Sequence, residues 1–250
     1  MRVVAVIQAR MGSTRLPGKV LKHLKGRTVL EHVIARVRAA PRIDEVVVAT
    51  TTSPADDPLM ALADAVGVRW LRGSESDVLS RYYQAAQAAG ADVIVRITSD
   101  CPLLDPEVLN GMVERFLSYQ EAEPPVDYLS NTLTRTYPRG LDVEVFTWAA
   151  LVSAHREADK PYEREHVTPY LYQHPERFRL AEALGEQDLS QHRWTLDTPE
   201  DWALIERIYA ALATEDAIFP TRAVLDFLQA NPALMALNAH VEQKKLEGSR

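Results

Sequence analysis

Residues 3 to 19 read VVAVIQARMGSTRLPGK, and both the fold and the main site are predicted from this stretch. Its first five residues are apolar and mostly β-branched, which is typical of a strand buried on both faces of a parallel sheet. Glycines and cations follow directly, so we expect them at the carboxyl end of that strand. Ligands of open α/β sheets bind at this end, and glycines let backbone N–H groups approach phosphate oxygens. The stretch therefore predicts a polyphosphate site.

The predicted loop carries three cations that suit a triphosphate, Arg10, Arg15 and Lys19. Gly12 is expected to admit the backbone to phosphate, and Gly18 to set the turn that directs Lys19. The loop residues assigned to nucleotide binding are Gln8, Ala9, Arg10, Gly12, Ser13, Arg15 and Lys19. A solvated surface loop is the alternative, but such loops seldom combine a strand-end position, two glycines and three cations.

Composition limits the class of protein. With 250 residues, 46% of them hydrophobic, the chain can bury a full core; we expect one domain over residues 1–240 and a loose charged tail at 241–250. A net charge of −7 argues against nucleic acid as a partner but is compatible with a nucleotide. Cys101 is the only cysteine, which excludes an intrachain disulfide and favours the cytoplasm. No apolar segment has the length of a signal peptide or a membrane span, so we expect no membrane partner.

Strand-like and helix-like segments alternate through the first half of the chain. Strands are expected at 3–7, 45–50, 68–71 and 93–97, and helices at 20–38, 56–66, 77–89 and 106–117. This alternation predicts an α/β fold with a doubly wound, mostly parallel sheet. Residues 124–180 are expected to form an additional small β-containing region for the acceptor or for dimerisation, and the chain is expected to be mainly helical from Pro199 onward.

Two aspartates follow predicted strands and are candidate metal ligands. Asp100 comes directly after the strand at 93–97, and Asp197 ends a short predicted strand that begins at Arg193. Mg²⁺ takes one or two carboxylates together with phosphate oxygens, so two such residues near a polyphosphate loop suit it. A cap or turn role is the alternative for Asp100. Asp105 and Thr198 are instead interpreted as N-caps of the helices that follow, at Pro106 and Pro199.

Five segments together resemble the cytidylyltransferases that make CMP-activated acidic sugars, the 3-deoxy-manno-octulosonate and acylneuraminate enzymes. The strongest likeness is to the branch named for spore coat polysaccharide biosynthesis protein SpsF, and it extends to about residue 210. Its segments are 8–19, 71–79, 99–105, 137–144 and 194–201. This resemblance implies a GT-A-like nucleotidyltransferase fold, CTP as donor, Mg²⁺ as cofactor, a sugar acid as acceptor in polysaccharide or surface glycan biosynthesis, and a homodimer.

The resemblance also implies roles for individual residues. Residues matching Arg10, Arg15 and Lys19 contact the CTP phosphates in that family, and those matching Asp100 and Asp197 hold the metal. In-line attack on the α-phosphorus releases pyrophosphate, and catalysis of this kind relies on positioning and on cations that meet the developing charge. Arg10, Arg15 and Lys19 are therefore the candidate catalytic residues.

Base and acceptor recognition are predicted from polar residues elsewhere. For the base, the candidates after the third strand are Arg72, Ser74 and Asp77. For the acceptor, they are Arg139, Asp142, Glu144, Arg164 and His166. Arg139 suits a bidentate clamp on a carboxylate, with an ordinary surface Arg–Asp pair as the alternative. A structural role is the alternative for His166, and Cys101 is interpreted as a small buried filler.

Other classes of protein stay open at this point. A nucleotide-sugar-dependent glycosyltransferase shares the fold type, but its metal signature would be a pair of aspartates, whereas Ser99-Asp100-Cys101 offers one carboxylate. A non-catalytic nucleotide-binding domain would not need all the cations and both aspartates. Uridylyl, guanylyl and molybdopterin-cofactor nucleotidyltransferases typically carry more glycine in the opening loop than this chain does.

Overall fold

The computed structural model describes residues 1–214 and 217–243. Its strands are β1 (Val3–Gln8), β2 (His23–Leu24), β3 (Arg27–Thr28), β4 (Glu45–Thr51), β5 (Arg69–Gly73), β6 (Val93–Thr98), β7 (Tyr128–Ser130), β8 (Glu144–Thr147) and β9 (Leu180–Glu182). Its α-helices are α1 (Val29–Arg38), α2 (Asp57–Ala65), α3 (Val78–Ala89), α4 (Pro106–Tyr119), α5 (Trp148–Glu157), α6 (Pro161–His166), α7 (Pro169–Tyr172), α8 (Pro199–Leu212) and α9 (Thr221–Ala230). Of the expected tail at 241–250, residues 244–250 lie outside this description.

Seven strands form one sheet in the order β5-β4-β1-β6-β8-β7-β9. Strands β5, β4, β1 and β6 are parallel, β8 is antiparallel to β6 and β7, and β9 is parallel to β7. The prediction of a mostly parallel α/β fold is therefore confirmed. The chain passes to one side of β1 to form β4 and to the other side to form β6. The carboxyl ends of β1 and β6 thus flank the point where strand order reverses, where such sheets bind ligands.

Both faces of the sheet are covered by helices. One apolar cluster joins α1, α2 and α4 to one face, and a second joins α3, α5 and α7 to the other. A third cluster lies around α8 and α9 and includes the buried indole of Trp194. The helical C-terminal part is therefore confirmed as well. Strands β1 and β4 consist of nearly continuous apolar side chains, as is typical of strands that are buried on both faces.

The predicted helix at 20–38 is wrong over its first half. Helix α1 begins only at Val29, after a short 3₁₀ turn at Lys19–Leu21 and the hairpin of β2 and β3. Lys25 and Gly26 adopt positive φ angles of 48° and 84° in the hairpin turn, which ends any helix before them. Thr28 then starts α1 through a capping box with Glu31.

Three further expectations are corrected in detail. The segment 193–197 is not a strand, because only Arg193 forms an isolated parallel bridge, with Arg139. The strand expected at 68–71 is β5, which lies at Arg69–Gly73. The β-containing region expected at 124–180 extends to Glu182 in β9, and its strands β7, β8 and β9 continue the main sheet beyond β6. The other predicted helices and strands of the first half lie within two residues of their expected bounds.

Candidate functional site

Lys19 lies between the two aspartates that the sequence selects. Its Nζ donates to Asp100 Oδ2 at 2.9 Å and to Asp197 Oδ1 at 2.9 Å. Asp100 lies two residues after the end of β6, and Asp197 immediately precedes Thr198, the N-cap of α8. The three residues are far apart in sequence, and the fold brings them together at the carboxyl ends of β1 and β6. This arrangement agrees with the prediction that both carboxylates face the end of the loop.

The direction of Lys19 is set by the turn before it. Gly18 has a φ of 65°, in the left-handed region that favours glycine, and its N–H bonds to the Met11 carbonyl at 3.3 Å. Lys19 then begins the short 3₁₀ turn at Lys19–Leu21 and is nearly buried. The backbone thus carries the ammonium back toward the sheet, which is the role proposed for Gly18 from the sequence.

Charge and burial act together on this triad. Burial alone would lower the pKa of Lys19, but the carboxylates of Asp100 and Asp197 outweigh it and raise that pKa to about 12. Burial likewise opposes ionisation of Asp100, yet the Lys19 ammonium and a hydrogen bond involving Thr98 hold its pKa well below the usual range. In this ion triad Lys19 and Asp100 are therefore both charged around neutral pH.

Two arginines approach Asp197 from its other oxygen. Arg15 Nη2 lies 3.2 Å from Asp197 Oδ2, and Arg193 Nη2 lies 3.0 Å from the same atom. Arg15 was predicted from the sequence as a phosphate-binding residue, whereas no role was predicted for Arg193. Three cations therefore surround one carboxylate, which makes this end of the sheet suited to polyanionic ligands.

The rest of the loop is held by groups that sequence reasoning missed. Buried Asp56 accepts from the Met11 N–H at 2.7 Å and thereby fixes the loop to the end of β4. Arg10 does not contact the triad; it pairs with exposed Glu75 at 3.1 Å. Gln8 ends β1, and its buried Oε1 has no hydrogen-bond partner among the residues that the structure describes.

The remaining loop residues assigned from the sequence have small side chains. Ala9 is buried and donates its N–H to the Ala49 carbonyl at 3.1 Å. Ser13 Oγ accepts from the Leu16 N–H at 3.3 Å, which turns the loop back on itself. Gly12 is exposed, and a Cβ built there would lie 3.5 Å from the Glu75 carboxylate. The open side of the loop is thus formed by small residues.

The three base candidates mainly contact neighbouring protein groups. Arg72 donates to the carbonyls of Thr51 and Ser53 at 2.7 Å each. Ser74 Oγ accepts from the Asp77 N–H at 3.2 Å, and Asp77 caps α3 through the Ser80 N–H at 2.9 Å. Their hydrogen bonds shape the segment between β5 and α3 at the same edge of the sheet as the loop.

The structure separates the acceptor candidates into different groups. Arg164 pairs with Asp77, a base candidate, with Nε and Oδ1 3.1 Å apart. Asp142 forms a bidentate pair with Arg135, another residue missed from the sequence, at 2.6 and 3.0 Å. His166 is the last residue of α6.

Glu144 lies inside the protein. Its carboxylate pairs with Arg96 and accepts from the hydroxyls of Tyr128 and Thr168 at 2.6 Å each. Only 6% of the residue is exposed. These three internal partners tie Glu144 of β8 to β6, β7 and the start of α7, so we assign it no part in acceptor binding.

Arg139 is the acceptor candidate whose backbone forms a bridge with Arg193. It is half-buried, and in the described part of the chain its guanidinium has no carboxylate within ion-pair distance. Burial and the neighbouring Arg135 lower its pKa from the ordinary arginine value. It lines a cavity of about 490 Å³ together with His192, Arg193 and Trp194. A cavity of this size is within the range that small-molecule sites occupy.

The two aspartates fit a divalent cation. In the ranges 1–214 and 217–243, no cluster of three or more His, Cys, Asp or Glu could hold a metal by itself. Asp100 and Asp197 nevertheless meet at one ammonium, and Mg²⁺ commonly takes two carboxylates with phosphate oxygens and water. Two carboxylates at this position suit a metal that also takes phosphate oxygens and water.

We expect Cys101 to resist modification in the folded protein. Burial, with the carboxylates of Asp100 and Asp142, raises the pKa of its thiol well above the ordinary value, and the residue is 5% exposed. A disulfide reagent at pH 8 should leave the native protein unlabelled over a period in which the urea-unfolded chain reacts completely. Rapid labelling of the native protein would contradict the buried position.

A cationic loop after the first strand of such a sheet, with Lys19 between two aspartates, is consistent with the nucleotidyltransferase class. A family model described as cytidylyltransferase matches residues 4–235. The chain belongs to this cytidylyltransferase family, and the resemblance noted in the sequence is confirmed. The protein is therefore an enzyme of the nucleotidyltransferase class.

Individual relatives agree with this assignment. The chain is 38% identical over 248 residues to an uncharacterized protein of Methanocaldococcus jannaschii, covering 98% of this chain and 97% of that protein. It is 36% identical over 214 residues to the spore coat polysaccharide biosynthesis protein SpsF of Bacillus subtilis, covering 83% and 86%. The structure of a cytidylyltransferase from Leptospira borgpetersenii superposes with a TM-score of 0.88 at 35% identity, covering 98% and 99%.

The described helices are short compared with a membrane span. The longest helices in the described ranges, α4 and α8, have 14 residues each. No helix described is long and apolar enough to cross a bilayer.

Proposed function

We propose that the protein transfers CMP from CTP to a sugar acid, or to a related acidic acceptor, and releases pyrophosphate in the cytoplasm. The observation that carries this proposal is the meeting of Lys19, Asp100 and Asp197 at one point. A cation and two carboxylates at this position provide what nucleotidyl transfer requires, namely charge stabilisation and a metal-binding edge. The acidic acceptor is supported by the cationic surroundings of the site.

The loop residues would bind the triphosphate. Lys19 and Arg15 lie together at Asp197 and would hold the β and γ phosphates, while Arg10, which is paired with Glu75 at the surface, would bind the α phosphate. Asp100 and Asp197 would hold Mg²⁺, which when bound offsets phosphate charge and activates the attacked phosphorus. Charge that develops on the leaving pyrophosphate is then met by fixed cations.

The acceptor would bind beside Arg139. Arg139 borders the cavity of about 490 Å³. Its backbone forms a bridge with Arg193, which pairs with Asp197. A half-buried arginine that forms no ion pair with any carboxylate of the described residues is suited to bidentate contact with the acid group of an acceptor. In this proposal Arg139 orients the acceptor, and the fixed geometry of the site supplies the rate.

The proposal is tested by pyrophosphate release. Purified protein with Mg²⁺ and each of CTP, UTP and GTP is incubated with 3-deoxy-manno-octulosonate, N-acetylneuraminate and other sugar acids. We expect CTP-dependent release with at least one acid. Asp100→Asn should lower it by at least the roughly 10–100-fold that is typical of losing an outer partner of a metal ligand, because Asp100 is itself a proposed ligand. The matched control Asp159→Asn, at an exposed position far from the loop in sequence, should leave it unchanged.

Other outcomes assign the protein differently. Transfer of a sugar from a nucleotide sugar, without pyrophosphate release from CTP, would identify a glycosyltransferase. CTP binding without turnover on any acid would support a non-catalytic nucleotide-binding domain. Release from UTP or GTP in preference to CTP would contradict the proposed donor.

A further inference from the structure

Arg193 is a buried arginine beside the proposed metal ligand Asp197. Its side chain is 8% exposed, and Nη2 lies 3.0 Å from Asp197 Oδ2. The same guanidinium forms a bidentate pair with Asp201, with Nε to Oδ1 at 2.8 Å and Nη2 to Oδ2 at 3.0 Å. Arg193 therefore joins the proposed ligand to the first turn of α8.

Asp201 also holds the backbone on which Asp197 is carried. It is fully buried, and its Oδ2 accepts from the N–H groups of Asp197 at 2.9 Å and of Thr198 at 3.1 Å. A carboxylate that accepts several N–H bonds at the start of a helix fixes the path of the entering chain. The main chain of Asp197 is thus fixed by Asp201, and its side chain by Arg193.

The C-terminal segment completes this hold. Asn238 Nδ2 donates to Asp201 Oδ1 at 2.8 Å and to the Arg193 carbonyl at 2.9 Å. Arg193 Nη1 donates to Gln243 Oε1 at 2.8 Å. The family model matches residues 4–235, so Asn238 and Gln243 lie outside the matched residues.

These contacts leave the two oxygens of Asp197 with different tasks. Oδ2 receives Arg193 and Arg15, whereas Oδ1 faces Lys19, the residue that also contacts Asp100. Without Arg193, the partner of Oδ2 among the described residues would be Arg15, whose side chain is 36% exposed. Outer partners of this kind orient metal ligands, and removing them typically costs 10–100-fold in metal affinity.

We propose that Arg193 is a positioning residue that keeps Asp197 Oδ1 directed toward Asp100 for metal binding, and that Asn238 and Gln243 extend the active site into the C-terminal segment. This inference rests on the proposed function, because it requires a nucleotide-bound divalent cation. It adds to that function a residue that touches no substrate and a segment outside the family match.

Binding of Mn²⁺ in the presence of CTP tests the inference without turnover. Electron paramagnetic resonance of free Mn²⁺ gives the affinity for wild-type protein, Arg193→Met, Arg193→Lys and Asn238→Ala. We expect about a 10–100-fold weaker Mn²⁺ affinity for Arg193→Met and a smaller loss for the other two variants. Arg207→Met, which removes an exposed arginine from α8, is the matched control and should bind as the wild type does.

Kinetics separate positioning from a general loss of structure. In CTP-dependent pyrophosphate release, the Mg²⁺ concentration for half-maximal rate should rise in Arg193→Lys, while kcat at saturating Mg²⁺ returns close to the wild-type value. Circular dichroism verifies that each variant is folded; if Arg193→Met does not fold, Arg193→Lys and Asn238→Ala decide the matter.

The inference is overturned if folded Arg193 variants bind Mn²⁺ with wild-type affinity, or if kcat falls with an unchanged Mg²⁺ dependence. Wild-type protein that turns over CTP but binds no Mn²⁺ would overturn it while leaving the transfer reaction standing. Wild-type protein that binds neither CTP nor Mn²⁺ would contradict the proposed function as well.

Discussion

Lys19→Met should lower kcat for pyrophosphate release from CTP by about 10²–10³-fold, the loss typical for removing one preorganised donor to developing charge. Methionine preserves much of the side-chain length but takes away the ammonium that joins Asp100 and Asp197. The measurement is steady-state pyrophosphate release with the acceptor on which the wild-type protein is most active. CTP affinity, determined by calorimetry, should fall as well because the triphosphate loses a cation.

Lys22→Met is the matched control for this experiment. Lys22 follows the same turn, but its ammonium lies over the Trp202 ring at 4.3 Å and contacts neither aspartate. This variant should retain near-normal turnover. Near-normal release by Lys19→Met would contradict the proposed function of the loop, whereas a similar loss in both variants would indicate a general effect of charge.

Gly140→Ala should reduce the free energy of unfolding by about 2–4 kcal/mol, since a strained backbone and a backbone clash are combined. Gly140 has a φ of 109°, and a Cβ there would lie 2.6 Å from the Trp194 carbonyl carbon and 2.8 Å from Thr195 N. Neither contact can be relieved by a side-chain movement. Urea unfolding monitored by circular dichroism gives the change in free energy.

Gly111→Ala provides the opposite expectation for the same substitution. Gly111 lies within α4, and a Cβ there meets nothing within 4 Å, so alanine should stabilise the helix by up to about 1 kcal/mol. If Gly140→Ala were as stable as the wild type, the close approach of Gly140 to residues 194 and 195 would be wrong. That approach places Arg193 and Asp197, so the variant should lose turnover too.

The centre of the site could be predicted from the sequence because its signals are local. Gly18 and Lys19 follow a recognisable buried strand, and Asp100 follows another, so the parallel arrangement of β1 and β6 sufficed to bring them together. Asp197 was predicted despite the absence of a strand there. The N-cap motif at Thr198 left Asp197 as the aspartate without a structural role.

The supporting residues could not be predicted because their partners are distant in sequence. Asp56 binds the backbone of Met11 across 45 residues, and Asn238 binds Asp201 across 37. Asp77 and Arg164, selected for the base and the acceptor, pair with each other across 87 residues. Polarity and spacing selected Asp77 and Arg164 from the sequence, but only the tertiary fold shows which groups these residues contact.

The early part of α1 shows the opposite difficulty. Apolar spacing from Val20 to Arg38 fits a helix, yet the backbone at Lys25 and Gly26 turns into a hairpin. Periodicity records which side chains are buried and does not by itself identify the backbone that buries them. A glycine in mid-pattern, with a capping box at Thr28, was the local signal for a later start.

The ion triad has a consequence for the synthesis of the protein. Its members are separated by 81 and 178 residues, so a fragment that ends before Asp197 cannot assemble the centre. During translation the amino-terminal strands are made long before Asp197 leaves the ribosome, and an incomplete chain holds a cation and one carboxylate without the second. The complete triad therefore forms only after about four fifths of the 250-residue polypeptide has been made.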